Sequence, residues 1–418
     1  MKILKALSQI ALISSALLPW NATAINRADF VSLLGSHGSK TSASILGTNQ
    51  PEELLVKGLM EVTQGQLQDA LDTINQLLVA APNFKLAYLV RGDLLMARAQ
   101  QFQAFGNPAA DSTQTIADFR EEARKRIGRH LEQQSPGNLP EPLWQMDTKQ
   151  QYAIVVDADK SRLYLYRNEG GEPKYVADYY ATIGKNGSEK KSEGDKRTPI
   201  GVYFAGSKLN RKLDDLYGDA AYPLSYPNEW DKRQGKSGGG IWLHGTPSNT
   251  YSRAPRASDG CVVISNPDLK ALAPILQNGN VPFIIANNLQ WLETQKEAGK
   301  KQALQKAIEQ WRKDWQSQNT DIYLSHYSQQ FASDAANSKS MDFSQWATEK
   351  RRIQASKPKV DISLSNISMF RYPNSTLPMA VVTFEQSFKS PYLDSQMRKR
   401  QYWIFENQQW KIIYEGSA

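Results

Sequence analysis

Hydrophobic positions change their period along the chain, and each change marks a different kind of element. From Pro51, the residues Leu55, Leu59, Val62, Leu67, Leu71, Ile74, Leu77 and Leu78 recur at steps of three and four, which lines up one face of a helix. Gly58, Gly65, Ala70, Pro82 and Asn83 punctuate that run as a helix-turn-helix unit would, and a further helix is predicted from Phe84 to about Phe105. Ser135 to Pro142 carries three prolines and reads as a linker. The period then becomes strand-like. Ala153 to Asp157 and Arg162 to Tyr166 flank a short polar turn, predicting a hairpin. Strand propensity continues from Tyr175 to Ile183, and Lys185 to Arg197 is a charged, glycine-containing loop. Short strands are predicted at 201–204, 240–243 and 281–285, with one helix at about 267–277, so this part is mostly β. From Trp291 the pattern is helical, with Leu304, Ile308, Trp311 and Trp315 on one face. Three strand-like stretches follow at 360–370, 379–388 and 398–414.

Length and composition add a compartment. The chain has 418 residues, enough for two or three domains. Lys2 and Lys5 precede an apolar run from about Ala6 to Trp20, and Ala22-Thr23-Ala24 offers a small-residue cleavage site. That is the layout of a secretory signal peptide, and the run is shorter than a membrane-spanning helix needs. The expected location is therefore outside the cytoplasm, and a Gram-negative periplasm follows only with the absence of surface-anchor motifs and the family that the chain's motifs resemble. Residues 25–50, rich in Ser, Gly, Thr and Asn, read as a flexible leader. The formal charge of +8 becomes 8 − 2 = +6 once Lys2 and Lys5 are lost. This suits an anionic wall polymer or membrane surface, and the charges are too dispersed to predict nucleic-acid binding.

Candidate chemistry is concentrated in two short stretches. Ile241-Trp242-Leu243-His244-Gly245-Thr246 ends an apolar strand on a histidine. Seventeen positions after it comes the only cysteine of the chain, in Ser258-Asp259-Gly260-Cys261. Thiol catalysis needs a thiolate and a neighbouring imidazole to handle protons. Gly260 is read as the residue that lets backbone N–H groups approach a developing oxyanion. Each residue also has a plain reading. A lone cysteine before Val-Val-Ile is often a buried small hydrophobe, and a lone strand-end histidine is often structural. Their joint occurrence in one motif, in an exported chain without another cysteine, favours catalysis. One Cys and four His far apart in sequence provide no metal-ligand cluster, so neither metal nor cofactor is expected.

The pair His244-Gly245-Thr246 and Ser258-Asp259-Gly260-Cys261 resembles the signature of the YkuD L,D-transpeptidase family. The hairpin 154–166, Thr182-Ile183-Gly184 and Arg197-Thr198-Pro199-Ile200-Gly201 are similar to other features of that family, over about residues 150–287. The resemblance implies that Cys261 is the nucleophile, attacking the L,D-peptide bond between the position-three diamino acid of a peptidoglycan stem and its terminal D-alanine. His244 would exchange the proton, the Gly245 carbonyl would orient the imidazole, and the amides of Gly260 and Cys261 would hold the oxyanion. Ser258 would hold the motif loop or the histidine. Asp259 and Val263 depart from the histidine and arginine that many family members carry there, which leaves acceptor specificity open. Residues 51–133 resemble a single tetratricopeptide repeat with an added helix. The helix-to-sheet pattern after Trp291 and its Trp/Tyr-rich ending resemble the nuclear transport factor 2-like fold. That layout also resembles cell-shape L,D-carboxypeptidases of the same superfamily, which pass the acyl group to water.

The expectation is a multidomain chain: signal peptide 1–24, leader 25–50, helical tetratricopeptide-like region 51–133, linker 134–149, mostly-β catalytic core 150–287, and α+β nuclear transport factor 2-like domain 291–418. Its partners would be peptidoglycan peptide stems. The helical region reads either as a docking or dimerisation element or as hairpins without a partner. The terminal domain reads as a place for a ligand or partner, and Trp311, Trp315, Tyr323 and Tyr327 read as core rather than pocket. The expected function is an L,D-transpeptidase with an amine acceptor, because the core matches that family best; an L,D-carboxypeptidase and a non-catalytic wall-binding scaffold are the alternatives.

Overall fold

The computed structural model describes residues 50–98, 113–132, 138–333, 340–355 and 359–418. The expected signal peptide, the leader up to residue 49 and the end of the helix predicted to Phe105 lie outside the described residues. The chain divides into two compact units. One is formed by the N-terminal residues to Glu132 with Thr246–Pro255 and Ser265–Leu272; the other is formed by the remainder.

Among the described residues the first unit holds the helices α1 (Gln50–Thr63), α2 (Leu67–Ala80), α3 (Lys85–Arg98) and α4 (Thr113–Leu131), together with the helical residues up to Leu272 of a later helix. The three-four periodicity predicted the first three, and their apolar faces meet in one cluster around Leu55, Ile74, Leu77, Phe84 and Val90. Each such side chain contributes about 1.5–3 kcal/mol by leaving water. Gly65, with φ +79°, makes the turn between α1 and α2. Gly58 lets the two helices close up, since a Cβ there would stand 2.8 Å from Ile74 Cδ1. Tyr251, from the 246–255 segment, belongs to the same apolar cluster.

The second unit holds two sheet systems. The predicted hairpin forms as β3 (Tyr152–Asp157) and β4 (Arg162–Glu169), flanked by β5 (Glu172–Tyr180). With β7 (Gly201–Ala205) and β12 (Val281–Ala286) they make a five-stranded sheet in the order β5-β4-β3-β12-β7. A smaller sheet of β8 (Ala221–Pro223), β9 (Trp242–His244) and β11 (Val262–Val263) runs in the order β11-β9-β8. A parallel pair, β6 (Ile183–Gly184) with β10 (Arg256–Ser258), completes the catalytic region. The predicted helix appears at Asn266–Leu276.

Toward the C-terminus a helix at Thr294–Gln316 leads into the strands β14 (Tyr327–Ser333), β15 (Asp361–Arg371), β16 (Met379–Lys389), β17 (Asp394–Glu406) and β18 (Gln409–Ser417). The stretch read as one strand over 398–414 is two strands. Asn407 and Gln408 sit between them at φ 48° and 62°, the double left-handed turn that suits a tight hairpin. A helix at Phe343–Gln354 was not anticipated; Asp342 and Gln345 close a capping box at its start. Trp311, Trp315, Tyr323 and Tyr327 are buried in the cluster between the long helix and the sheet, as the core reading expected.

The segment read as a linker is structured where it is described. β1 (Asn138–Pro140) pairs with β13 (Trp291–Glu293), and β2 (Leu143–Gln145) pairs with β15 as the sixth strand of the C-terminal sheet. Prolines are tolerated at such strand edges, and burial of Leu143, Trp144 and Met146 outweighs the turn-like composition. The two sheet systems share a cluster in which Tyr164, Tyr166 and Ile284 pack with Phe370, Met379 and Tyr402. Polar ties join it: Arg400 Nη1 donates to Glu229 at 2.8 Å, and Arg233 Nη1 donates to the Ile413 carbonyl at 2.9 Å.

Candidate active site

The motif histidine ends β9, and the motif cysteine immediately precedes β11. β9 and β11 run parallel with Leu243 opposite Val262 and His244 opposite Val263. Extending that register by one residue sets Cys261 beside Trp242. Trp242 and His244, two apart on one strand, share a face of the sheet. Sequence distance is thus closed by strand pairing rather than by the loop alone.

His244 is buried, and its Nδ1 stands 2.7 Å from the Gly245 carbonyl oxygen. A carbonyl can only accept, so Nδ1 carries the hydrogen and Nε2 is left to exchange a proton. The Gly245 amide is fixed in turn, donating to the Tyr217 carbonyl at 3.0 Å and reaching the Ala220 carbonyl at 3.3 Å. Tyr217 also meets the imidazole edge-on, with ring centroids 5.1 Å apart, and lies 4.9 Å from the Trp242 ring. It sits in a 3₁₀ turn capped by Asp214, whose carboxylate accepts from the Leu216 amide. Sequence reasoning did not single out Tyr217, because its contribution is contact and carries no motif.

The cysteine loop is pinned from below. Ser258 Oγ donates to the Cys261 carbonyl at 2.6 Å and accepts from the Gly260 amide at 3.1 Å. Ser258 therefore holds the motif loop, the first of its two expected roles. Through the same contact the Gly260 N–H, expected as one of two oxyanion donors, is turned to Ser258 in this arrangement. What requires glycine at 260 is space and backbone angle. Its φ is +125°, and a Cβ would stand 2.8 Å from the Arg197 carbonyl oxygen. Thr198 supports both sides, donating from Oγ1 to the Gly260 carbonyl at 2.9 Å and accepting from the Gly184 amide at 2.9 Å. The Thr-Ile-Gly and Arg-Thr-Pro-Ile-Gly segments noted in the sequence are thus struts of the cysteine loop. Cys261 itself is half-buried, with Sγ 3.5 Å from the Gly240 carbonyl.

Charged groups edge the site. Asp259 pairs with Lys185 at 3.1 Å. Both ends are exposed and the pair is worth little in water. The Arg211 guanidinium lies over the Trp242 ring at 5.4 Å. The charged loop 185–197 is organised around Asp195, which accepts from Lys190 Nζ and from the amides of Lys191, Ser192 and Arg197. Partial burial opposes its ionisation, but these donors prevail and hold the carboxyl down at about 2. Among the described residues no group of three or more His, Cys, Asp or Glu is arranged to hold a metal ion. No described helix is long and apolar enough to cross a membrane.

Comparison with known proteins bears on both sheet systems. Residues 151–285 match the model of the YkuD L,D-transpeptidase catalytic domain, and residues 303–416 match the Cds6 C-terminal NTF2-like domain. No curated protein is matched by the sequence comparison. Among solved structures, Bd1075 of Bdellovibrio bacteriovorus is 28% identical with a TM-score of 0.58. The match covers 67% of this chain and 98% of that one. The helical cell shape determining protein Pgp2 of Campylobacter jejuni is 26% identical with a TM-score of 0.56, covering 68% of this chain and 96% of that one.

Proposed function

From a chain whose catalytic region is a YkuD-type L,D-transpeptidase domain followed by a Cds6-type NTF2-like domain, we propose a cysteine acyl-enzyme that cleaves the L,D-bond of peptidoglycan peptide stems in the periplasm. The observation that carries the reading is the His244–Gly245 geometry, an imidazole with Nδ1 tied at 2.7 Å to a backbone carbonyl on the strand that pairs with the cysteine strand. Cys261 gives its proton to His244 Nε2 and attacks the carbonyl of the position-three residue. The tetrahedral adduct collapses as His244 returns the proton to the leaving amine, releasing D-alanine and leaving a thioester. Tyr217 and the Gly245 carbonyl keep the ring oriented through both transfers. The oxyanion needs a donor other than the Gly260 amide, and the amide of Cys261 itself is the candidate.

The thioester is then resolved by water, giving a tripeptide stem. This acceptor is favoured because the chain is similar to the helical cell shape determining protein Pgp2, and its two-domain layout resembles that of cell-shape L,D-carboxypeptidases. A stem amine is the second acceptor, supported by the description of the matched catalytic domain; it would make the product a cross-link. Intact His244 and Cys261 argue against a scaffold that has lost catalysis. The test is mass spectrometry of disaccharide-tetrapeptide incubated with the mature protein. Tripeptide monomers support the hydrolase, dimers joined through position three support the transpeptidase, and the absence of any product that depends on Cys261 overturns both.

A further inference from the structure

We propose that the helical region is a positioning element of the catalytic centre, clamping the chain segment 246–255 that follows the His244-Gly245 pair. The inference rests on the reading of His244 and Cys261 as catalytic.

Three separate fastenings hold the segment to the helices. Asn83, in the turn between α2 and α3, donates from Nδ2 to the Ser248 carbonyl at 3.1 Å and accepts at its own carbonyl from the Tyr251 amide at 3.1 Å. The Tyr251 ring lies on Phe84, centroids 4.6 Å apart and tilted 31°. Ser252 Oγ donates to Glu122 Oε1 of α4 at 2.6 Å. Glu122 in turn accepts from Arg126 at 2.9 and 3.1 Å, Arg126 also pairs with Glu52 of α1, and its guanidinium covers Phe84 at 5.2 Å.

Burial makes the arrangement specific. The side chains of Glu122 and Arg126 are 1% and 2% exposed. Charged groups are costly to bury, and such pairs are poor sources of net stability. One guanidinium here faces two carboxyls, Glu52 and Glu122. Burial pushes the Glu122 carboxyl up to about 8, against the opposing hydrogen bond from Ser252. These groups are spent on the chain's own loop, through the bond from Ser252.

The loop transmits the constraint toward chemistry. Thr246 is the next residue after Gly245, and their shared peptide plane sets the direction of the carbonyl that holds His244 Nδ1. Thr246 is fixed by its own unit: Oγ1 donates to the Tyr251 carbonyl at 3.3 Å, and its carbonyl accepts from Asn266 Nδ2 at 2.8 Å. Tyr251 is thus held by Asn83 and Phe84 on one side and holds Thr246 on the other. Releasing the clamp frees that peptide plane and loosens the imidazole behind it.

The experiment uses the full-length mature protein and the variants Ser252→Ala, Tyr251→Ala and Glu122→Ala, with Ser252→Thr and Glu122→Gln as conservative partners. Thermal melting first selects those that fold. Two readouts follow: kcat and KM on disaccharide-tetrapeptide, and the pH dependence of Cys261 alkylation by iodoacetamide, which reports thiolate formation assisted by His244. The clamp predicts a fall in kcat of about 10-fold or more with KM within about twofold, as expected for misplaced catalytic groups. It also predicts an alkylation profile moved toward higher pH. Ser252→Thr and Glu122→Gln, which keep the hydroxyl and the neutral carbonyl oxygen, restore most of the loss. Folded alanine variants with unchanged kcat and unchanged alkylation profile overturn the proposal. A wild-type protein that releases no D-alanine, yet whose alkylation profile still shifts in the variants, would reject the substrate reading and leave the clamp standing.

Discussion

Gly260 carries more of the site than its lack of a side chain suggests. Its φ of +125° and the 2.8 Å approach to the Arg197 carbonyl mean that alanine there strains the backbone and collides with it. Gly260→Ala is expected to cost about 1–3 kcal/mol of stability and to displace Cys261, lowering turnover more than substrate affinity. Thermal melting with steady-state kinetics checks this, and a variant of wild-type stability and rate would refute it. The candidate nucleophile and base stood out in the sequence because their residue types are rare: one cysteine and four histidines leave few combinations. The oxyanion reading named the amides of Gly260 and Cys261, and the first of these is turned to Ser258. Nothing in Ser-Asp-Gly-Cys says that the Gly260 amide turns to the Ser258 hydroxyl rather than to the substrate. Thr198 and Tyr217 were unreadable as site residues for a related reason, since they act through where their neighbours lie.

At the scale of elements, periodicity identified most strands and helices, and it failed where turns and edges decide. The last two strands merged into one because Asn407-Gln408 lacks the glycine that usually flags a two-residue hairpin. The proline-rich linker hid two strands because its pairing partners, β13 and β15, lie about 150 and 230 residues further on, beyond any local signal. The loop 185–197 was read as polar, and its order comes from a single carboxylate. Asp195 is held at about 2 against an ordinary value of 3.8. A carboxyl with a depressed folded value contributes stability that is present above its ordinary value and is lost as pH falls through the folded one. The loop should therefore be ordered above about pH 4 and loosen progressively as pH falls toward 2. Hydrogen-exchange mass spectrometry, normalised for intrinsic exchange rates at each pH, would follow this. Asp195→Asn should open the loop at neutral pH and remove most of the dependence; equal protection in both proteins at every pH would contradict the account.

In the whole molecule, the catalytic sheet and the C-terminal sheet are two faces of one apolar cluster rather than beads on a tether. Domain order was readable because each block has its own hydrophobic period, while the sharing of a core was not, since apolar positions in a sequence do not name the surface they meet. The unit made of helices together with segments 246–255 and 265–272 was equally hidden, because its cohesion depends on Asn83, Glu122 and Arg126, polar residues that a hydrophobic pattern passes over. All of this scaffolding serves one chemical claim, that Cys261 becomes acylated by the peptide stem. The most direct measurement is acid-quenched mass spectrometry of the full-length mature protein mixed with disaccharide-tetrapeptide, followed by peptide mapping. The account predicts a disaccharide-tripeptide adduct on the Cys261 peptide, formed with release of D-alanine and absent from Cys261→Ala. Release of D-alanine at the same rate by Cys261→Ala would contradict it.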